Sequence, residues 1–214
     1  MKFIIKLNVL ALIAFLCFGS ISAQTNLAEE AKSALNSGNN QRAIELYNQL
    51  IQSADKYAPS YYARGMAKFN LKNIDAAIED FTKAGELDDK YYQAFYGLAL
   101  CYLEKADYRK VMDFVQKVKS INERFAPNYY VKGLALYYTK NFPQANIAFV
   151  TALTLDDKYY KANYARAICL KEMNLLELSI KEFQYYIKMA GNQDGLQAEC
   201  ERLIADIQKE LKNQ

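Results

Sequence analysis

Apolar residues return at helical spacing along nearly the whole chain, and polar or turn-forming residues interrupt them at even intervals. Phe95, Leu98, Ala99 and Tyr102 fall at i, i+3, i+4 and i+7, the stripe expected of one buried helix face. Asn39-Asn40, Asn73, Asp107, Asn141 and Asn174 mark the breaks. Pro59, Pro127 and Pro143 stand at helix starts, where a missing backbone donor leaves no bond unmade. The pattern predicts helices in pairs, over 58–71 and 74–87, 92–105 and 108–121, 126–139 and 142–155, and 160–173 and 176–190. After 191–195 a last helix is predicted over 196–212, with Leu196, Cys200, Leu203, Ile207 and Leu211 on one face and charges on the other.

The pairs are copies of one another. The stretch 58–91 recurs without insertion at 92, 126 and 160, and more faintly at 24, a strict 34-residue period. Small residues hold its eighth and twentieth places and larger ones follow: Gly65, Ala77, Phe81, Ala84 and Leu87 in one copy, Gly133, Ala145, Phe149, Ala152 and Leu155 in another, and Ala31, Ala43, Tyr47 and Leu50 in the first. Helix axes reach the short end of their usual separation, about 8–10 Å, only where no bulk intervenes. The chain resembles the tetratricopeptide repeat family, whose signature is this alternation of small and large residues. The resemblance implies an all-α fold, a right-handed α-solenoid of five helix-turn-helix repeats, 24–57, 58–91, 92–125, 126–159 and 160–193. Residues 194–214 then form a capping helix that shields the apolar side of the last repeat. Some positions depart from the family pattern: Val111, Val115 and Val118 in the third copy, Ser179 and Tyr186 in the fifth, and Asp55, Asp89, Glu123 and Asp157 where a proline often closes the repeat. A second rhythm of 68 residues runs through the array. Copies two and four open KYAPSYYARG and RFAPNYYVKG, while copies three and five open DDKYYQAFYG and DDKYYKANYA, as duplication of a two-repeat unit would produce.

Residues 1–23 read as an export signal. Lys2 and Lys6 form a basic start, Leu7 to Phe18 an apolar run, and residues 19–23 a small-residue cleavage site ending at Ala23. The apolar run is shorter than the roughly 20 residues a membrane span needs. The mature protein is therefore expected in a periplasm or outside the cell, meeting a membrane only through a partner. Without Lys2 and Lys6 the chain carries 25 basic and 24 acidic side chains, nearly neutral, which argues against nucleic acid as a partner. Cys101 and Cys169 hold the same place two repeats apart, too distant to bridge. Cys200 comes within reach of Cys169 if the last helix folds over the fifth repeat, so that pairing stays open.

Chemistry has few candidates. The chain has no histidine, the commonest general base and metal ligand, and no glycine-rich phosphate loop. Asp88-Asp89 and Asp156-Asp157 fall at helix ends and read as turn residues. No catalytic residue, cofactor or metal is expected. Arg64 and Asp80, and likewise Arg166 and Glu182, lie sixteen residues apart and are predicted to face each other across a helix pair, while Leu98 and Phe114 replace them in the third copy and Lys132 and Ala148 in the fourth.

The resemblance implies that the first helix of each repeat lines a concave groove through its second, fifth, ninth, twelfth and thirteenth positions. Carried onto this chain, the fifth position gives Tyr62, Tyr96, Tyr130 and Tyr164, the ninth Met66, Leu100, Leu134 and Ile168, and the twelfth Phe69, Leu103, Tyr137 and Lys171, a tyrosine ladder flanked by aliphatic residues with little charge. All of these but Leu103 and Lys171 are the ten candidate binding residues. Tyrosine combines a large rigid apolar area with a hydroxyl, which suits recognition. The basic clamp with which some family members hold a terminal carboxylate is missing. The expectation is a non-enzymatic protein-protein interaction scaffold or assembly factor of the cell envelope, holding a protein or peptide segment in this groove. Glycan binding, and closure of the groove by a homo-oligomer, are the alternatives.

Overall fold

The computed structural model describes residues 25–191 and 195–213, and the expectations for residues 1–23 lie outside them. Among the described residues there are eleven helices and no strand. They are α1 (25–36), α2 (Asn40–Ser53), α3 (Ala58–Asn70), α4 (Ile74–Leu87), α5 (Tyr92–Glu104), α6 (Tyr108–Ile121), α7 (Ala126–Tyr138), α8 (Phe142–Leu155), α9 (Lys161–Glu172), α10 (Leu176–Ala190) and α11 (Gln197–Lys212).

The first helix of a pair stops a residue short of the expected end, and the backbone of the turn explains why. Gly38, Lys72, Ala106, Lys140 and Asn174 recur every 34 residues and all have positive φ, between 55° and 77°. At each, the next amide closes back on the helix: Asn73 N–H donates to Lys68 O at 2.9 Å, Asp107 N–H to Tyr102 O at 3.0 Å and Asn141 N–H to Leu136 O at 2.8 Å. A left-handed residue followed by this long-range amide bond is the Schellman stop, which occupies carbonyls the helix end leaves unpaired. Asn39 and Asp107 then cap the next helix, accepting from the amides of Arg42 and Lys110. Asn73 and Asn141 sit at the equivalent place without a side-chain cap bond.

The chain forms two compact units whose boundary falls within α5, one up to Gly97 and one from Leu98. In the first unit Ala31, Ala43, Leu46, Tyr47, Leu50 and Ala67 share one apolar cluster, and Ala58, Ala84 and Ala94 another, against Tyr61, Tyr62 and Tyr91. Phe81 is fully enclosed because two glycines make room for it. A Cβ at Gly65 or at Gly97 would stand 2.8 Å from its ring. Asp80 is 3% exposed and accepts from Arg64 Nε at 2.9 Å and Nη2 at 2.6 Å, with Lys68 Nζ at 2.8 Å. The expected facing of Arg64 and Asp80 is therefore observed, with Lys68 as a third member.

The second unit repeats this logic with different residues. Gly133 lies against the enclosed ring of Phe149. Arg166 Nη1 donates to Glu182 Oε1 at 2.5 Å as expected, and Asn146 and Asn163 complete the network. In place of an ion pair, α5 and α6 stack Tyr102 on Phe114, centroids 5.6 Å apart, with the Lys110 ammonium 4.5 Å over the Tyr102 ring. The departures from the family pattern are absorbed locally. Val111, Val115 and Val118 are buried, and the Ser179 hydroxyl donates to Ala167 O at 2.8 Å. At the C-terminal end α11 packs Cys200, Leu203, Ile207 and Leu211 against Phe183, Tyr186 and Ala190. Cys101, Cys169 and Cys200 are buried and stand as thiols, so the Cys169–Cys200 bridge left open by the sequence is not formed. Cys169 Sγ donates to Phe142 O instead.

Candidate functional site

In the second unit the helix register turns the ladder positions into one cavity. Tyr130, Leu134 and Tyr137 lie i, i+4 and i+7 along α7, and Tyr164 and Ile168 lie i and i+4 along α9, so each set shares a face. α7 and α9 touch, and these five residues, with Tyr138, Phe149 and Ala165, line a cavity of about 340 Å³. Ala165 is the small residue that leaves the space open.

The rings are held by neighbours rather than standing free. Tyr130 lies 6.0 Å from Phe149, tilted, and 5.4 Å from Tyr159, edge to face. Tyr137 meets Phe142 at 5.6 Å and Tyr138 at 5.6 Å. Tyr164 is braced from behind by Phe183 and Tyr186, at 5.8 Å and 5.4 Å. Tyr138 is 56% exposed, stacked on Tyr108 at 5.7 Å, and forms the cavity's open edge. Walls fixed in this way lose little entropy when something binds, since their rotamers are already chosen.

The electrostatics of the wall follow from burial. Loss of solvent raises the hydroxyl pKa of Tyr130 and of Tyr137 above the ordinary 10.0, and the charge of Glu172 adds to the effect at Tyr137. Tyr164 is pushed up to about 12, by burial first and then by the charge of Glu199, to which its hydroxyl donates at 3.2 Å. All three are neutral hydroxyls at ordinary pH. Their faces offer π-density, and their oxygens offer both a donor and an acceptor.

The first unit treats its ladder residues differently. Tyr62 lies 5.6 Å from Phe81 and 5.6 Å from Tyr91, edge to face, the same triad as Tyr130, Phe149 and Tyr159 one 68-residue step earlier. It lines a larger cavity, about 610 Å³, with Tyr47, Leu50, Tyr57 and Tyr91, into which Glu29 and Lys32 also face. Met66, Phe69 and Tyr96, and Leu100 of the second unit, are half-buried and line neither cavity. Phe69 lies under the Lys72 ammonium at 5.8 Å. Of the ten ladder residues, five are gathered at one cavity, one lines the other, and four line neither.

Sequence reasoning missed Tyr138, Phe149 and Ala165 in the wall, and Tyr159 behind it. Tyr138 was within reach, since it holds the thirteenth position of its copy. Tyr159 was signalled only by sharing a place with Tyr91 in the 68-residue rhythm.

Comparison with known proteins agrees with this architecture. The tetratricopeptide repeat family profile matches residues 29–89. Human DnaJ homolog subfamily C member 7 is 33% identical over 94 residues, which are 42% of this chain and 19% of that protein, so the chain spans about a fifth of this relative. The crystal structure of a thermophilic TPR protein from Thermus thermophilus superposes with a TM-score of 0.76 at 14% identity, covering 85% of this chain and 99% of that one. YrrB, described as a TPR protein with an unusual peptide-binding site, superposes with a TM-score of 0.58 at 17% identity, covering 80% of this chain and 88% of that one. With the 34-residue period, the helix pairs and the small residues at their contacts, these matches show a tetratricopeptide repeat segment over residues 29–89 and the all-helical repeat fold of tetratricopeptide repeat proteins.

Proposed function

We propose that the protein is a non-enzymatic binding module that holds an extended or helical segment of a partner protein at the aromatic cavity between α7 and α9. The observation that carries this reading is the convergence of Tyr130, Leu134, Tyr137, Tyr164 and Ile168 on one preformed cavity of about 340 Å³. That volume lies at the small end of the range for ligand pockets, roughly 300–1,000 Å³, and suits anchoring side chains rather than a whole domain. The peptide-binding site attributed to YrrB supports a peptide as occupant. The aliphatic wall of Leu134 and Ile168 favours a peptide over a glycan, whose hydroxyls need polar partners between the rings. We place the site of action in the periplasm or outside the cell, on the basic start, apolar run and small-residue end of residues 2–23. No helix among the described residues is long and apolar enough to cross a membrane.

The test is selection of peptides from a random library on the mature chain, repeated with Leu134→Glu and Ile168→Glu. Each variant puts a carboxylate into the apolar wall at a half-buried position that packs against the core, so the helical signal is followed alongside binding. The reading expects peptides that bind the parent chain and lose at least tenfold in affinity to either variant, with the helical circular dichroism unchanged. Peptides that bind parent and variants alike would place the binding surface elsewhere. A self-associated chain that either variant dissociates would make a second copy the occupant.

A further inference from the structure

We propose that the cavity between α7 and α9 selects a basic side chain, lysine or arginine, of the bound segment, with its aliphatic stem along Leu134 and Ile168 and its charged head among the tyrosine faces. This rests on the binding reading above and narrows it to one chemistry. The cavity is lined by four tyrosines and Phe149, and no charged side chain stands in its wall. Negative charge lies just beyond. Glu172 follows Ile168 by one helical turn on α9, and Glu199 of α11 accepts the Tyr164 hydroxyl at 3.2 Å. Beside the larger effect of burial, the Tyr137 hydroxyl senses Glu172 and the Tyr164 hydroxyl senses Glu199. An apolar pocket with Glu172 and Glu199 at its edge is poorly matched to an anionic segment, and a purely aliphatic one makes no use of Glu172. A lysine or arginine uses both parts, because its methylenes cover apolar surface while its head stays polar. A cation within about 6 Å of a ring centroid is attracted by the ring's quadrupole, and more so where water is partly excluded. Lys171, one turn after Ile168, and Lys161, one turn before Tyr164, are the opposing charges on this side of α9.

The experiment uses n-butylammonium and n-butanol, equal in stem and different in charge, titrated into the full chain with isotope-labelled tyrosines and followed by NMR. n-Butylammonium is expected to shift the Tyr130, Tyr137 and Tyr164 ring resonances with an affinity roughly fivefold above that of n-butanol. Glu172→Gln should reduce that preference and Lys171→Gln should increase it, while neither variant touches the enclosed core. Equal or tighter binding of n-butanol overturns the proposal and makes the cavity an apolar anchor site, with the binding module intact. Failure of both probes to move these resonances also overturns it. Failure of the wider reading shows separately, as selected peptides that ignore Leu134→Glu.

Discussion

Gly133→Ala tests the packing on which the cavity depends. Gly133 lies in the middle of α7, where alanine is intrinsically favoured by about 1 kcal/mol over glycine. The new Cβ, however, would fall on the Cδ1, Cε1 and Cζ atoms of Phe149, a ring that is fully enclosed. Atoms forced into a filled core cost about 1–3 kcal/mol, and an enclosed ring with Tyr130 6.0 Å from its centre belongs at the upper end. The difference is a net loss of about 2 kcal/mol, which for a chain of this size lowers the melting temperature by about 4–8 °C. Urea unfolding followed by helical circular dichroism measures it, with Phe149→Leu as second site. If the collision is the cause, Gly133→Ala made on the Phe149→Leu background recovers most of the alanine benefit, and the two changes are strongly non-additive. A Gly133→Ala chain as stable as its parent would refute the reasoning, because α7 and α8 would then have slack that the close contact denies. Phe149 also lines the cavity, so a displaced ring is expected to weaken peptide binding.

Other parts of the structure make equally direct predictions. Ala106→Gly should stabilise the chain by about 1 kcal/mol in the same urea assay, because Ala106 holds φ at 55° on an exposed turn where only glycine avoids the Cβ penalty. A destabilised variant would mean that the turn is not strained. Asp80→Ala should cost about 3 kcal/mol, since it leaves Arg64 and Lys68 largely buried without their shared carboxylate, and a loss below about 1 kcal/mol would contradict the network. Burial raises the Cys169 thiol from 9.0 to about 11 and the Tyr164 hydroxyl from 10.0 to about 12, so the folded state favours their neutral forms. Their contribution is therefore complete below about pH 9 and is lost as the pH climbs through about 11 and then about 12. Unfolding free energy should fall over that window and fall less in a Cys169→Ala, Tyr164→Phe double variant; equal slopes would remove these two groups as the cause.

The repeat architecture was legible because close helix contact imposes a residue type. Gly65 and Gly133 must be small against the rings of Phe81 and Phe149, and the fully buried Ala99 and Ala167 hold the same eighth place in the other copies, so the 34-residue period survives in one sequence read alone. The facing of Arg64 and Asp80 was legible for the same reason, since a fixed spacing in each copy maps to a fixed place across the pair. Lys68 was missed although it lies one turn beyond Arg64 on α3, because the neighbouring copies do not repeat it. The left-handed turn was invisible at Lys72, Ala106 and Lys140, where the residue type gives no hint and only alignment of copies exposes the common place. The cavity was half legible. Repeat position tells which face a side chain occupies, and this found Tyr130, Leu134, Tyr137, Tyr164 and Ile168. Whether a face opens into a cavity depends on how the rings lean on one another, and single positions do not encode that. Met66 and Phe69 share a face with Tyr62 yet line neither cavity, with Phe69 under the Lys72 ammonium.

The most direct test of a partner segment at α7 and α9 is site-specific photocrosslinking with a selected peptide. A benzoylphenylalanine is placed at Tyr137, in the cavity wall, or at Tyr185, exposed on α10. The account predicts a peptide adduct from position 137, lost when Leu134→Glu is added, and none from position 185. Adducts from position 185 alone, or adducts from 137 that persist with Leu134→Glu, would contradict it.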